Sequence, residues 1–365
     1  MDINELLRLA VERKASDLHI TVGVPPTARM DGILARLTDT PLKPEDTHRL
    51  VEQLLDEQTI GLFKKKGEVG FSHSFPGLGR FRVNAFHQRG TMSMAIRVIN
   101  TEVPKITSLG LPDIVSKMAL RSKGLLLVVG PAGSGKTTTL AAVVDLINEE
   151  RNCHIITLED PIEYLHTHKK SIVNQREIGS DSKSFPASLR AALRQDPDVI
   201  LIGGMLDPET ISIALTAAET GNLVLASLHT MDAPRTINRI IEIFPQSQQP
   251  QIRVQLANCL IGIVAQRLLP RKDGKGRIAA VEFLANTSAV RNLIREGRIQ
   301  QIYSMMQTGA KSGMRTMDNH LQHLFGMGLI KAEDVMENAL DRASMSRFMG
   351  RILVEEGEPP METPL

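Results

Sequence analysis

The chain has 365 residues and a formal net charge of only +2. That length favours two domains with ample core, and the small net charge gives no basic field that would indicate nucleic acid as the main partner. Two cysteines, Cys153 and Cys259, exclude a four-cysteine zinc site and are expected to be reduced cytosolic thiols. No apolar run approaches a membrane span and the first residues do not resemble a signal peptide, so no membrane insertion is expected.

Residues 1–100 are predicted to form a small, separate α+β domain. Within it, the stretch 79–86 alternates large apolar and polar residues, as a half-buried strand does. This strand and its surroundings are predicted to form a basic sheet face carrying Arg80, Arg82, Arg89 and Arg97. Two interpretations stay open: the arginines form a solvated strand face, or they are offered to the nucleotide of a neighbouring subunit.

Residues 101–112 contain two prolines and a glycine and are predicted to link this domain to a second one at 113–350. The second domain opens with a run of apolar residues at 125–129, typical of a buried strand, and continues into a helix-prone stretch at 140–144. Between them lies a sequence with the G-x-x-x-x-G-K-T spacing of a phosphate-binding loop: Gly130, Pro131, Ala132, Gly133, Ser134, Gly135, Lys136 and Thr137.

The chemistry of this loop follows from its composition. Glycines let successive backbone N–H groups turn inward around a phosphate at the helix N-terminus, where the helix dipole also favours negative charge. Lys136 is predicted to bridge the β- and γ-phosphates, and Thr137 to offer its hydroxyl group to Mg²⁺; Thr138 completes the set of binding residues. The sequence therefore predicts an ATP site.

Carboxylates follow the next predicted strand, residues 153–158. Glu159, Asp160 and Glu163 come directly after it, at the edge where α/β sheets place ligands. They are candidates for holding Mg²⁺ through water or for orienting an attacking water molecule. The alternative is a charged turn that caps a helix.

A helix predicted over residues 184–194 leads to a third buried strand, Val199–Ile202. This is where a P-loop ATPase normally carries the carboxylate that supports Mg²⁺ or the attacking water. Here the strand runs into Gly203 and Gly204, and the first acid after it is Asp207.

A fourth strand, within residues 222–230, ends in a polar pair that includes His229. This histidine is either a structural residue or a sensor of the γ-phosphate. From Pro234 onward the sequence is predicted to be helical, with helices over 253–268, 287–296, 299–308, 317–327 and 331–339. The acidic, proline-containing stretch at 351–365 is predicted to be a disordered tail.

Several motifs together resemble the secretion ATPases of type II secretion systems and type IV pili, and among them the retraction ATPases of the PilT/PilU type. The resemblance extends to about residue 350 and is carried by segments 15–19, 79–84, 130–137, 156–164, 194–198 and 228–230. In addition, residues 289–296 resemble the helix motif associated with retraction, with Val290 where isoleucine is usual.

The resemblance implies an α/β fold, with a RecA-like P-loop domain, a PAS-like domain before it and a helical carboxy-terminal region. It implies a homohexameric ring at the cytoplasmic face of the inner membrane, reaching the membrane only through a pilus platform protein and driving pilus retraction and twitching motility by ATP hydrolysis. Glu163 is then the water-polarising base, with Glu159 and Asp160 in the same acidic box and Glu159 reaching Mg²⁺ through water. His229 matches the second position of a histidine box. Arg82 and Arg97 are the candidates for reaching the nucleotide from the small domain.

Three positions depart from the family pattern. Gly204 stands where the Walker B glutamate is usual, Leu206 where arginine is usual, and Asn222 where histidine is usual. A positioned acid–base group contributes roughly 10²–10⁴ in rate, so hydrolysis is expected to be slowed more than binding. Two hypotheses follow: an active retraction motor that relies on the acidic box, or a hydrolysis-impaired ring component that works beside an active paralogue or as an ATP-dependent scaffold. A DNA-translocating ATPase is not favoured, because no basic stripe with aromatic residues is visible.

Overall fold

The computed structural model describes residues 2–30, 32–99 and 102–355. The chain divides into two units. The amino-terminal unit comprises Met1–Glu102 together with the short segment Ile162–Leu165, and the nucleotide unit comprises Val103–Pro161 and His166–Leu365. The chain therefore crosses between the units three times, after Glu102, after Pro161 and after Leu165, whereas a single boundary near residue 100 was predicted.

The amino-terminal unit contains a six-stranded antiparallel sheet in the order β3-β2-β1-β6-β5-β4. Its strands are β1 (Asp17–Ile20), β2 (Thr27–Met30), β3 (Ile33–Arg36), β4 (Glu68–Phe75), β5 (Gly79–Gln88) and β6 (Thr91–Val98). Its helices are α1 (Ile3–Glu12), α2 (Pro44–Glu52) and α3 (Glu57–Lys66). Phe81, Val83 and Ala85 alternate with exposed polar residues along β5, so one face of that strand is buried in the core of this unit.

The nucleotide unit contains a seven-stranded sheet in the order β13-β12-β7-β11-β10-β8-β9, parallel except for β13. Its strands are β7 (Gly124–Val129), β8 (His154–Glu159), β9 (Ile172–Glu177), β10 (Val199–Ile202), β11 (Leu223–Leu228), β12 (Leu260–Pro270) and β13 (Arg277–Ala285). Every residue of β7, β10 and β11 is buried. Continuous apolar strands of this kind require cover on both faces, and the fold is α/β as predicted.

Helices cover this sheet and continue beyond it. They are α4 (Asp113–Ala119), α5 (Lys136–Glu150), α6 (Phe185–Ala192), α7 (Pro208–Thr220), α8 (Ala233–Glu242), α9 (Gln249–Cys259), α10 (Ser288–Arg295), α11 (Ile302–Thr308), α12 (Met317–Gly326), α13 (Ala332–Asn338) and α14 (Arg342–Glu355). Three short 3₁₀ helices lie at Ile106–Leu109, Ile299–Gln301 and Ala310–Ser312. The first of these falls inside the stretch predicted as a linker.

Two predictions for the carboxy-terminal part are wrong. The helix expected over residues 253–268 ends at Cys259, where the chain passes into strand β12. The apolar run from Leu260 to Ala265 fits either structure by periodicity, and its position beside β7 makes it a strand. The predicted tail begins too early, because α14 extends to Glu355; residues 356–365 of the prediction lie outside the described residues.

Candidate functional site

The phosphate-binding loop joins strand β7 to helix α5 at the carboxyl edge of the sheet. Gly130 leaves the strand with a φ of 151°, and a Cβ atom there would lie 2.3 Å from the carbonyl oxygen of Gln266. Gly135, at φ 86°, precedes α5, and its Cβ would lie 2.8 Å from Nε2 of the same glutamine. Glycine is therefore required at both positions by backbone conformation and by packing.

Lys136 is the first residue of α5 and is only 8% exposed. Its Nζ donates hydrogen bonds to the carbonyl oxygens of Gly130 at 2.9 Å and Pro131 at 2.8 Å. The cation is thereby held at the loop, where a bound polyphosphate would meet it. Thr137 and Thr138 follow in the first turn of α5, whose free amides and dipole favour an anion.

Gln266 of β12 supports the loop and was missed by sequence reasoning, because its strand was predicted to be a helix. Its Oε1 accepts a hydrogen bond of 2.8 Å from Thr139 Oγ1 on α5, and the glutamine is 3% exposed. The backbone oxygen of Gln266 lies against Gly130 and its side-chain amide lies against Gly135, so one residue packs on both glycine positions of the loop. A polar residue inside the apolar run of β12 is the signal that could have found it.

His229 lies beside the phosphate-binding loop. Strand β11 pairs with β7 so that Leu228 faces Val129, and the amide of Gly130 donates to the carbonyl oxygen of Leu228 at 3.3 Å. Burial and the positive charge of Lys136 lower the pKa of His229. The lowered pKa favours the neutral imidazole at pH 7.

The three carboxylates after β8 differ in their burial and in the unit to which they belong. Glu159 ends β8, is 7% exposed, and accepts hydrogen bonds through Oε1 from Thr157 Oγ1 at 2.6 Å and from Gln175 Nε2 at 3.2 Å. Asp160 follows and is exposed, whereas Glu163 lies in the segment that belongs to the amino-terminal unit. Glu159 is thus a buried carboxylate whose side chain is held by two hydrogen bonds at the carboxyl edge of the sheet.

Gln175 of β9 forms hydrogen bonds with both ends of the loop 159–166, which carries these carboxylates. Its amide nitrogen donates to Glu159, at the loop's start, and its Oε1 accepts from the backbone N–H of His166, at the loop's end, at 2.8 Å. Burial lowers the pKa of His166 to about 4, so this histidine is neutral. The two ends of the acidic loop are therefore tied to one side chain.

No carboxylate stands at the end of β10. Gly203 donates its N–H to the carbonyl oxygen of Leu158 at 2.8 Å, and a Cβ there would lie 3.2 Å from the Cα of Glu159. Gly204 is different, because the atoms nearest to an added Cβ are those of the Leu206 side chain, at 3.8 Å. The first acid, Asp207, caps α7 by accepting from the Thr210 N–H at 2.8 Å, so it serves as a helix cap.

The sequence-based placement of Asn222 in the hydrolysis machinery is wrong. Asn222 precedes β11, so it lies at the amino edge of the sheet, and its carbonyl oxygen accepts from the N–H of Gly124 at the start of β7. At about 3.3 Å per residue, the six residues of β11 put it roughly 20 Å from the phosphate-binding loop. Its side chain donates to the carbonyl oxygen of Pro197, a structural role.

The predicted arginines lie in the amino-terminal unit. Arg82 and Arg97 are cross-strand partners on β5 and β6, and both are exposed. Arg97 Nε also donates to Asp17 Oδ1 at 2.9 Å. Arg89 does not share their sheet face, because it lies in the turn between the two strands at φ 50°. Two like charges opposite one another repel, so an anionic partner would stabilise this pair.

A cavity of about 390 Å³ opens beside the phosphate-binding loop within the nucleotide unit. Arg235 and Arg267 line it together with Ala132, Gly133 and Met231. Arg267 is oriented by a 2.8 Å hydrogen bond from Nη1 to the carbonyl oxygen of Asn338. Arg235 Nε pairs with Asp232 Oδ2 at 3.2 Å, so Lys136 and Arg267 supply most of the positive charge available to a polyphosphate at this edge of the sheet.

Over the described parts of the chain, no group of three or more histidine, cysteine, aspartate or glutamate residues could hold a metal ion. Mg²⁺ ordinarily takes one or two protein ligands and completes its shell with phosphate oxygens and water. The hydroxyl group of Thr137, in the first turn of α5, fits that pattern. Among the described residues, no helix is long and apolar enough to cross a membrane.

Comparison with known proteins adds to this geometry. Residues 1–339 match the family model described as Type II/IV secretion system protein. The chain is 44% identical over 339 residues to the Type IV pilus retractation ATPase PilT of Pseudomonas aeruginosa, covering 93% of this chain and 98% of that protein. It is also 44% identical to the Type IV pilus ATPase PilU of the same organism, covering 96% of this chain and 91% of the relative. A crystal structure of the pilus retraction motor PilT with bound ADP is similar with a TM-score of 0.88 and 49% identity, covering 95% of this chain and 99% of that one.

Proposed function

Because the chain belongs to the Type II/IV secretion system protein family, we propose that it is an ATP-dependent motor of the type IV pilus machinery that powers pilus retraction. The observation that carries this proposal is a complete phosphate-binding loop in a chain similar over nearly its whole length to a retraction ATPase. A related motor structure contains ADP, which is the product expected of such a reaction.

In this proposal the loop amides and Lys136 hold the β- and γ-phosphates of ATP. Mg²⁺, held by Thr137 and through water by Glu159, would neutralise charge that develops on the phosphates. Water-mediated contact suits Glu159, whose Oε1 already accepts hydrogen bonds from Thr157 and Gln175. Glu163 polarises the attacking water, with Asp160 beside it in the same loop.

The proposed working form is a homohexamer at the cytoplasmic face of the inner membrane. Arg82 and Arg97 would approach the nucleotide of a neighbouring subunit, which would relieve the repulsion between these cross-strand partners. Domain motion would be passed to a pilus platform protein in the membrane, and pilins would be removed. Membrane association would occur only through such partners, and no nucleic acid is involved.

A second candidate function is a ring component that binds nucleotide and hydrolyses it slowly beside an active paralogue. The end of β10 favours it, because Gly204 supplies no carboxylate and Leu206, 59% exposed, supplies no cation. Phosphate contacts do not depend on either position, so binding would be retained.

Steady-state ATPase activity of the purified protein separates the two candidates. For a motor we expect turnover near 1 s⁻¹ or above, the lower end of typical enzyme rates, and its loss in Lys136→Ala. Turnover at least roughly 10²-fold slower, with ADP still bound, would support the slow ring component. Failure to bind ADP or ATP at all would contradict both.

A further inference from the structure

The far end of helix α5 contacts the first place where the chain passes between the two units. The passage lies between Glu102 and Val103. Just beyond it, Lys105 Nζ donates to Oε1 of Glu149, which lies in the last turn of α5. The linker is therefore attached to the helix that begins at the phosphate-binding loop.

The same end of α5 also holds a second connecting segment, by which the chain returns to the nucleotide unit. Ile162–Leu165 belongs to the amino-terminal unit, and the chain returns to the nucleotide unit at His166. Asn148 Nδ2 donates to the carbonyl oxygen of Thr167 at 2.7 Å, and Asn148 Oδ1 accepts from the N–H of Lys169 at 3.1 Å. The returning segment is thus bonded to α5 through its backbone.

Lys169 adds two ion pairs to this attachment. Its Nζ lies 2.6 Å from Asp145 Oδ1 and 2.9 Å from Glu149 Oε1. The Asp145 side chain is 10% exposed and that of Lys169 is 33% exposed, so water screens this pair less than a surface pair. Hydrogen bonds from Lys105 and Lys169 lower the pKa of Glu149, so its carboxylate is charged when it meets both lysines.

Glu149 is therefore shared between the two connecting segments, because Lys105 and Lys169 bond the same oxygen atom. Helix α5 runs without interruption for 15 residues from Lys136 to Glu150, about 22 Å at 1.5 Å per residue. A rigid helix that has phosphate ligands at one end, and Lys105 and the segment 167–169 bonded to its other end, moves all of them together.

We propose that Glu149, with Asp145 and Asn148, forms a coupling junction that transmits nucleotide binding from the phosphate-binding loop to both connecting segments. This proposal rests on the proposed motor function, and it specifies how nucleotide binding affects the amino-terminal unit. Its members are positioning residues, because they lie at the opposite end of α5 from the phosphate ligands. Their loss leaves nucleotide affinity unchanged and weakens the transmission.

Hydrogen–deuterium exchange on the full-length protein, with and without ADP and Mg²⁺, tests the junction without requiring turnover. In the natural sequence we expect ADP to slow exchange in the loop peptide 130–138 and to change exchange in peptides 102–112 and 160–171. In the Asp145→Asn/Glu149→Gln variant the loop peptide keeps its ADP response, while the responses of both connecting peptides fall by at least half. Glu150→Gln removes a neighbouring exposed carboxylate and serves as the matched control.

Single lysine substitutions make the test independent of the stability of the double variant. Lys105→Gln should remove the ADP response of peptide 102–112 alone, and Lys169→Gln that of peptide 160–171 alone. In Glu149→Gln, ATP turnover should fall about 2- to 30-fold, which is the size of effect expected for a residue that couples two sites. The KM for ATP should stay unchanged. Two results would overturn the proposed junction. One is that the connecting peptides keep their full ADP response in all these variants, and the other is that they show no ADP response in the natural sequence. A protein that hydrolyses no ATP would contradict the motor function while leaving the exchange test valid.

Discussion

The phosphate-binding loop and the end of β10 lie at the same edge of one sheet, and each contains a glycine where the chain leaves a buried strand. At Gly130 a Cβ would lie 2.3 Å from a backbone oxygen, whereas at Gly204 the nearest atoms would be 3.8 Å away. Packing therefore requires the first glycine and does not require the second. Nucleotide binding therefore depends on a glycine that packing does not allow to change. At Gly204, where a carboxylate would assist hydrolysis, there is room for a larger side chain.

This contrast makes Glu163 the most sensitive position for turnover. Because β10 provides no carboxylate, we expect Glu163→Gln to lower the remaining ATPase rate by roughly 10²–10⁴-fold. The affinity for ADP should change little, since the loop holds the phosphates. Steady-state ATPase assays and a fluorescent-ADP titration measure the two effects. Equal activity of Glu163→Gln and the natural sequence would show that another residue polarises the water.

Gly130→Ala tests the packing side of the contrast. The Cβ clash with Gln266 displaces the loop and removes charge-assisted phosphate contacts, each contributing about 1.5–3 kcal/mol, so ADP affinity should fall by about 10- to 100-fold or more. Gly328→Ala is the control, because Gly328 shares a positive φ of 68° but has no atom within 4 Å of an added Cβ. Undiminished ADP binding by Gly130→Ala would contradict the packing argument.

Gln266→Leu removes the polar support of the loop while keeping its bulk. Thr139 loses its buried acceptor, so the free energy of unfolding should fall by about 1–3 kcal/mol, measured by urea denaturation. Replacement of the exposed Gln251 by leucine provides the comparison. Identical unfolding curves for the two variants would mean that Gln266 does not support the loop.

The smallest effect is expected at His229. Its pKa is lowered below the ordinary value of 6.5, so the proton that would make it a cation binds only in more acidic solution. The ratio of ADP affinities of His229→Gln and the natural sequence should therefore stay within about twofold between pH 6.5 and 8.0. Tighter ADP binding by the natural sequence alone as the pH falls would show that His229 becomes charged in the site.

The sequence predicts the parts of this site that lie in one stretch of chain. The phosphate-binding loop, its flanking strand and helix, and the bare end of β10 are local patterns, and the structure contains all of them. Gln266 was missed because an apolar run of that length fits a helix or a strand, and only pairing with β7 decides between them. Asn222 was misplaced although a signal existed: a residue that precedes a parallel strand lies at the edge opposite the loop.

A linker at residues 101–112 was predicted, but the short segment Ile162–Leu165 of the amino-terminal unit and the ion pairs at the end of α5 could not be, because they depend on tertiary packing. Neither Lys105 nor Lys169 carries a motif, and their common partner Glu149 is one acid among several on its helix. Composition and periodicity give no information about which lysine meets which carboxylate. Contacts between residues far apart in the chain could therefore not be predicted from the sequence, whereas the phosphate-binding loop could.

Hydrolysis of ATP by the Gly204→Glu/Leu206→Arg variant tests the central claim, that this motor binds nucleotide fully but, relying on the acidic box, hydrolyses it more slowly than it would with a carboxylate at the end of β10. With space available at Gly204, the variant should fold and turn over ATP roughly 10²–10⁴-fold faster than the natural sequence, at similar ADP affinity. Gly61→Glu/Leu62→Arg is the matched control, since Gly61 also has open space and Leu62 is 39% exposed. A natural sequence that already hydrolyses ATP as fast as the Gly204→Glu/Leu206→Arg variant would contradict the claim.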